Sequence, residues 1–191
     1  MVTTNGFEGF ERMVSVLDQA VQQPTVEALT SELKDRLSEL IREGSIRLPA
    51  DLSSPCGNHY ARRLLHRSED YGYVVVAMIW GPGQGTPLHD HDGTWCVEGV
   101  LAGDIEVTQY DLVDENGSEW RFERKDTHRT GVGTAGSLIP PFEYHTIANA
   151  SDEKVSITLH VYGHEMNTCT IFEPVADDCF TKRTKALGYD A

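Results

Sequence analysis

The sequence lacks the marks of several functional classes. No uninterrupted apolar run exceeds Val74–Trp80, far short of the roughly 20 residues that a bilayer-spanning helix needs. Basic residues are scarce: 16 Lys and Arg against 30 Asp and Glu leave a formal net charge of −14. Such a surface repels phosphate backbones and anionic lipid, which argues against nucleic-acid binding and a polybasic membrane anchor. The four cysteines (Cys56, Cys96, Cys169 and Cys179) stand far apart with no C-x-x-C pair, so no disulfide framework is expected. No basic-then-apolar leader occupies Met1–Phe10, and a reducing, cytoplasmic setting is expected. No glycine-rich loop links a strand to a helix, so no phosphate-bearing organic cofactor is expected. Internal repeats are missing as well. What is present suggests an acidic, soluble single domain over 1–191, with eight histidines, all of them after residue 58.

The first 44 residues carry a helical pattern. Phe7, Phe10, Met13, Val14, Leu17 and Val21 recur at three- and four-residue intervals, an amphipathic stripe. Pro24 interrupts it, and Thr25 is placed to cap a second helix marked by Val26, Leu29, Leu33, Leu37, Leu40 and Ile41 and ended near Gly44. From about residue 59 the period falls to two. Tyr73–Trp80, Thr94–Leu101, Ile105–Leu112, Glu119–Lys125 and Val155–Tyr162 read as strands separated by turn signals. The expected fold is mainly β, a sandwich or barrel over 59–174 behind an N-terminal helical cap. The tail, 175–191, shows little pattern.

Chemistry concentrates at Pro87-Leu-His89-Asp-His91. In extended chain, residues i and i+2 share a face, so His89 and His91 project together while Asp90 and Asp92 turn away. Two neutral imidazoles so placed can chelate a divalent metal, although paired histidines also occur by chance. Gly83 precedes His89 by six residues and Gly103 follows His91 by twelve; His145 lies between Pro140-Pro141 and Asn149.

This G-x5-H-x-H…G, then P-x4-H-x3-N, arrangement resembles the two motifs of the cupin superfamily. The resemblance implies a jelly-roll barrel with a metal in its mouth, held by His89, His91 and His145. Where the usual cupin pattern has a glutamate ligand, this chain has Cys96. That departure, the Thr158-x-His160-x-Tyr162 run and Tyr60-Ala-Arg62 together resemble the cysteine dioxygenase (thiol dioxygenase) family. Membership implies one Fe(2+) per chain and addition of both atoms of O2 to the sulfur of a small thiol. L-cysteine is the first substrate, with mercaptosuccinate and 3-mercaptopropionate as alternatives.

The resemblance assigns Arg62 and Tyr60 to the substrate carboxylate, and Thr158, His160 and Tyr162 to a relay reaching bound oxygen. A guanidinium fork suits a carboxylate, and alternation puts the three relay residues on one face. Thr158 stands where the family has Ser, which keeps the hydroxyl, and Gly163 departs from the animal-type continuation. Cys96 is read two ways, as a buried structural thiol or as the partner of a thioether to Tyr162. Arg63, His59, His66 and His128 are expected at the surface or in loops. Trp80 and Trp95 are expected in the barrel wall, and Cys56, Cys169 and Cys179 as inert thiols. His164 is left open. A zinc cupin with hydrolase or isomerase activity and a non-catalytic small-molecule-binding cupin are the readings of other classes. The expected partners are a small thiol and O2, with no nucleic acid or membrane. Oligomeric state is not legible.

Overall fold

Strands dominate because the chain alternates from residue 61 onward, and helices precede them because it does not before. The computed structural model describes residues 6–190; residues 1–5 and 191, with the parts of the leader, cap and tail readings that fall on them, lie outside the described residues. Helix α1 (Phe10–Ala20) buries Met13, Leu17 and Ala20. It begins only after Gly9, whose φ of 90° breaks the stripe started by Phe7. Helix α2 (Val26–Arg42) is capped as its sequence suggests: Thr25 Oγ1 accepts a hydrogen bond from the Ala28 amide at 3.2 Å. A single turn, α3 (Ala50–Ser53), leads into the strands.

Among the described residues eleven strands follow: β1 (Ala61–Arg67), β2 (Val74–Trp80), β3 (Leu88–His89), β4 (Cys96–Ala102), β5 (Asp104–Asn116), β6 (Glu119–Gly131), β7 (Ala135–Leu138), β8 (His145–Asn149), β9 (Ser156–Tyr162), β10 (Thr168–Ala176) and β11 (Cys179–Ala186). One sheet has the order β1-β2-β9-β4-β7, and β10-β11-β6-β5-β8-β3 closes into a ring beside it.

The two faces of the first sheet explain why β2 is apolar at every position. Val75, Ala77 and Ile79 join Leu17, Leu33 and Leu37 of the helices in one core, while Val74, Val76, Met78 and Trp80 line the barrel interior. A Leu→Ala change in such a core costs about 2–5 kcal/mol. Gly99 on β4 permits the close helix approach: a Cβ there would lie 2.9 Å from Ile41 Cδ1 and 3.0 Å from Leu37 Cδ2. Among the described residues, no helix is long and apolar enough to cross a membrane.

Three expectations need correction. His91 lies beyond the end of β3, in a turn closed by Thr94 N–H to His91 C=O at 3.1 Å. The β5–β6 hairpin runs further than expected, to Asn116 and Gly131, because exposed charged residues mask strand periodicity. The tail is not patternless in space: β11 pairs with β10 and reaches β6. Phe180 on β11 packs with Trp120, Phe122 and Phe172, and this small aromatic cluster holds the distal hairpins together.

Candidate active site

The three motif histidines meet. Strand β3 pairs with β8 so that His89 lies directly opposite His145; His91 joins them from the turn after β3. Ring centroids are 4.5 Å apart for His89–His145, 5.0 Å for His91–His145 and 5.4 Å for His89–His91. One ligand atom from each lies within 4.8 Å of the others. His89 Nδ1 lies 3.1 Å from Pro87 C=O and His145 Nδ1 2.8 Å from Glu143 C=O. These carbonyls hold the ring protons on Nδ1 and leave Nε2 free for a metal.

Burial lowers the pKa of all three imidazoles, and neighbouring imidazoles press His91 and His145 further down. They are therefore neutral, the form that ligates. His91 is 1% exposed, and its Nδ1 has no hydrogen-bond partner among the described residues. An unsatisfied buried nitrogen is costly, and a neutral imidazole trio fits a divalent transition metal. Asp90 does not join: its Oδ1 accepts from the Thr170 amide at 2.8 Å and caps the turn at Asp92 N–H. Asn149, the last residue of the second motif, is structural. Its amide donates to the carbonyls of Trp80, Gly81 and Lys154.

A small pocket of about 30 Å³ is lined by the three histidines together with Tyr60, Arg62, His160 and Tyr162. Arg62 is 6% exposed and its Nε carries no hydrogen bond among the described residues. The C-terminal segment clamps it. Arg62 N–H donates to Asp190 Oδ2 at 2.8 Å, Asp190 N–H returns to Arg62 C=O at 2.8 Å, and Nη1 donates to Gly188 C=O at 3.1 Å. The guanidinium also lies 5.2 Å from the centre of the Tyr189 ring. A buried cation with a spare donor calls for an anion. Tyr60 stacks on Trp80 with centroids 4.5 Å apart.

The shared face of Thr158, His160 and Tyr162 follows from strand pairing. Opposite one another on β4 and β9 stand Cys96 and Tyr162, Glu98 and His160, and Val100 and Thr158. Trp80 Nε1–H donates to Thr158 Oγ1 at 2.9 Å, and the same oxygen lies 2.7 Å from His160 Nε2. Indole nitrogen only donates, so Thr158 Oγ1 accepts there and still has its own proton and a second lone pair for Nε2; if the hydroxyl donates to Nε2, the ring proton of His160 sits on Nδ1. That nitrogen faces Tyr162 Oη at 3.4 Å, Glu98 Oε2 at 3.5 Å and Cys96 Sγ at 3.9 Å. Burial, then the nearby Arg62 cation and the adjacent His89 imidazole, lowers His160 to about 3. Burial raises Cys96 and Tyr162 well above their usual ranges, so both stay protonated.

Several residues differ from their sequence reading. Arg63 is 7% exposed rather than solvated, with Nη2 toward the Ser54 carbonyl at 3.5 Å. His66 packs between Phe10 and Tyr73. Cys169 lines the pocket beside Met166 and Leu187. Trp80 is a donor as well as wall. His59 and His128 are exposed, as expected, and His164, left open by its sequence, is exposed with Nδ1 toward the Glu165 carbonyl. Gly163 suits its place, because a Cβ there would lie 2.6 Å from Trp95 Nε1. Two contributors have no place in the sequence reading, Glu98 and the Gly188–Asp190 clamp. Spacing from Cys96 puts Glu98 on the inward face, but nothing local marks the clamp.

The family described as Cysteine dioxygenase type I matches residues 56–174, which holds every motif residue named above. The chain belongs to the cysteine dioxygenase family of the cupin superfamily. Cysteine dioxygenase type 1 of Rattus norvegicus is 25% identical over 114 residues, covering 60% of this chain and 56% of the relative. The protein of the same name from Homo sapiens is 23% identical over the same shares. The chain thus spans about half the length of the curated relatives it matches. Among solved structures, a conserved protein with a double-stranded beta-helix domain from Klebsiella pneumoniae is 18% identical, covering 63% of this chain and 85% of its own, with TM-score 0.46. Oxalate oxidase in complex with glycolate is 15% identical, covering 62% and 59%, with TM-score 0.46.

Proposed function

We propose that this protein is an iron-dependent thiol dioxygenase converting L-cysteine to cysteine sulfinate with O2, in a reducing cytoplasm. The observation that carries this reading is the enclosure of three neutral imidazoles, buried Arg62 and Tyr162 in one small pocket. Bound at His89, His91 and His145, one Fe(2+) would supply a thiolate acceptor and dioxygen activation.

The chain's own groups do the rest. Arg62, with Nε unpaired and its backbone pinned by Asp190, receives the substrate carboxylate and sets the direction of its sulfur. Tyr60 walls that side of the pocket. Met166, Cys169 and Leu187 limit water, and the small volume selects a small thiol. Tyr162, kept as a neutral phenol, donates a hydrogen bond into the pocket, and Thr158 fixes the His160 tautomer behind it. We further propose that Cys96, paired with Tyr162 across β4 and β9, forms a thioether to that ring. The bond joins sulfur to a ring carbon with loss of two hydrogens to dioxygen. Intact mass should show that loss, abolished in Cys96→Ser.

Oxygen-electrode assays of the ferrous protein with cysteine, mercaptosuccinate and 3-mercaptopropionate test the function. Uptake with cysteine at the highest kcat/KM is expected; preference for another of the three moves the substrate assignment. No uptake with any thiol at full iron loading, or zinc in its place with oxygen-independent turnover, overturns the dioxygenase reading.

A further inference from the structure

Behind the relay lies a second cavity of about 170 Å³, larger than the metal pocket, with Glu98 and Thr158 in its wall and His128 and Ser137 among its other residues. It exists because β7 supplies no cover at one point. Gly136 stands opposite Glu98, and a Cβ built on it would meet nothing within 4 Å. Glu98 lines this cavity, while His160, its partner across β4 and β9, lines the metal pocket. Glu98 Oε2 is sealed from solvent, has no hydrogen bond of normal geometry among the described residues and faces His160 Nδ1 at 3.5 Å. The side chain as a whole keeps 11% of its surface, and it lines the cavity. A sealed carboxyl oxygen without a partner is expensive and needs a reason.

The tautomer provides one. With Thr158 Oγ1–H donating to Nε2, His160 carries its single ring proton on Nδ1, where two oxygens are within reach: Tyr162 Oη and Glu98 Oε2. We infer that Glu98 is a positioning residue that competes with Tyr162 for the Nδ1 proton of His160, and that the cavity is the route by which this proton exchanges with solvent. The inference rests on the relay role given to Tyr162 above. When Glu98 is ionised, Nδ1–H turns to Oε2. When a proton arrives from cavity water, Nδ1–H serves Tyr162 Oη instead and directs the phenolic O–H into the metal pocket. One proton moves between water and carboxylate, and nothing is oxidised or reduced.

Burial raises Glu98 to about 7, so both forms are present near neutrality. The groups facing it are few. Cys96 adjoins it on β4, His160 and Tyr162 come from β9, and His128 of β6 stands at the cavity. Strand β7 contributes Gly136 and Ser137, and β5 and β8 contribute Val107, Gln109 and Ile147, none charged. Arg62 acts on His160 from the pocket side.

The test uses metal-free protein carrying 13C-carboxyl glutamate and 15N-histidine, followed by NMR between about pH 5.5 and 8.5. The expected result is a carboxyl signal titrating near neutrality that is absent in Glu98→Gln. The His160 Nδ1–H signal should follow the same transition in wild type and stay flat in the variant. Gly136→Leu, which fills the gap over Glu98, should slow exchange of that proton by about tenfold or more. In the iron-loaded enzyme, the inflection of kcat/KM near neutral pH should disappear in Glu98→Gln. A His160 signal unchanged by pH in wild type, or identical in wild type and Glu98→Gln, overturns the inference. Should Glu98→Gln not fold, the wild-type titration and Gly136→Leu decide alone. Absence of oxygen uptake by wild type would remove the dioxygenase reading and leave the Glu98 titration seen by NMR intact.

Discussion

Replacing Glu98 by Gln measures what the fold gives up to keep a carboxyl beside His160. Burial lifts that carboxyl from 4.5 to about 7, a rise worth about 3 kcal/mol at 1.36 kcal/mol per pH unit. The raised value means that the folded state binds the proton more tightly than the unfolded chain does. The cost is therefore absent below about pH 4.5, grows as the unfolded carboxyl ionises, and is complete once the pH passes about 7. Glutamine matches the shape, can still accept from Nδ1–H, and carries no ionisation cost. Depressed histidines act in the opposite sense, gaining stability as pH rises, but they are common to both proteins and cancel in the difference. Urea titrations of the metal-free pair should agree within about 1 kcal/mol at about pH 5 and leave the variant about 3 kcal/mol more stable at about pH 8. A difference that does not change with pH, or a variant less stable at the higher pH, would refute the burial argument.

Other parts of the site yield sharper contrasts. His145→Ala removes one of three ligands and should lower metal affinity by at least about 100-fold, read as loss of bound iron in elemental analysis after dialysis. Thr158→Ala strands the Trp80 indole N–H and His160 Nε2 and should cost about 1–3 kcal/mol in urea, whereas Thr158→Ser should fall within about 0.5 kcal/mol of wild type; equal losses would discount the hydroxyl. Arg62→Lys keeps the charge but loses the fork, and should raise KM for the thiol about tenfold with a smaller change in kcat.

Much of this architecture is legible in the residues. Helical spacing from Phe10 to Ile41 and the Thr25 cap locate both helices, and period-two runs locate the central strands. His89, His91 and His145 declare themselves by motif. Contributors from distant sequence do not. Asp190 reaches Arg62 only because β11 runs back along β10, and strand pairing between Cys179–Ala186 and Thr168–Ala176 is hidden by exposed polar residues. Glu98 is hidden for a different reason, since the cupin motif places its glutamate at position 96 and assigns nothing two residues on. Its partner is decided by the β4–β9 register, which a sequence does not display. His91 shows the converse: its chemistry is readable while its backbone, a turn rather than a strand, is not.

The central claim is that both atoms of dioxygen reach sulfur in this pocket. It is tested most directly by turning over L-cysteine with the iron-loaded protein under 18O2 and weighing the product. Cysteine sulfinate carrying two heavy oxygens, formed by wild type and lost in His145→Ala, is the expected product. A sulfinate with one heavy oxygen or none, or cystine as the sole product, would contradict the claim.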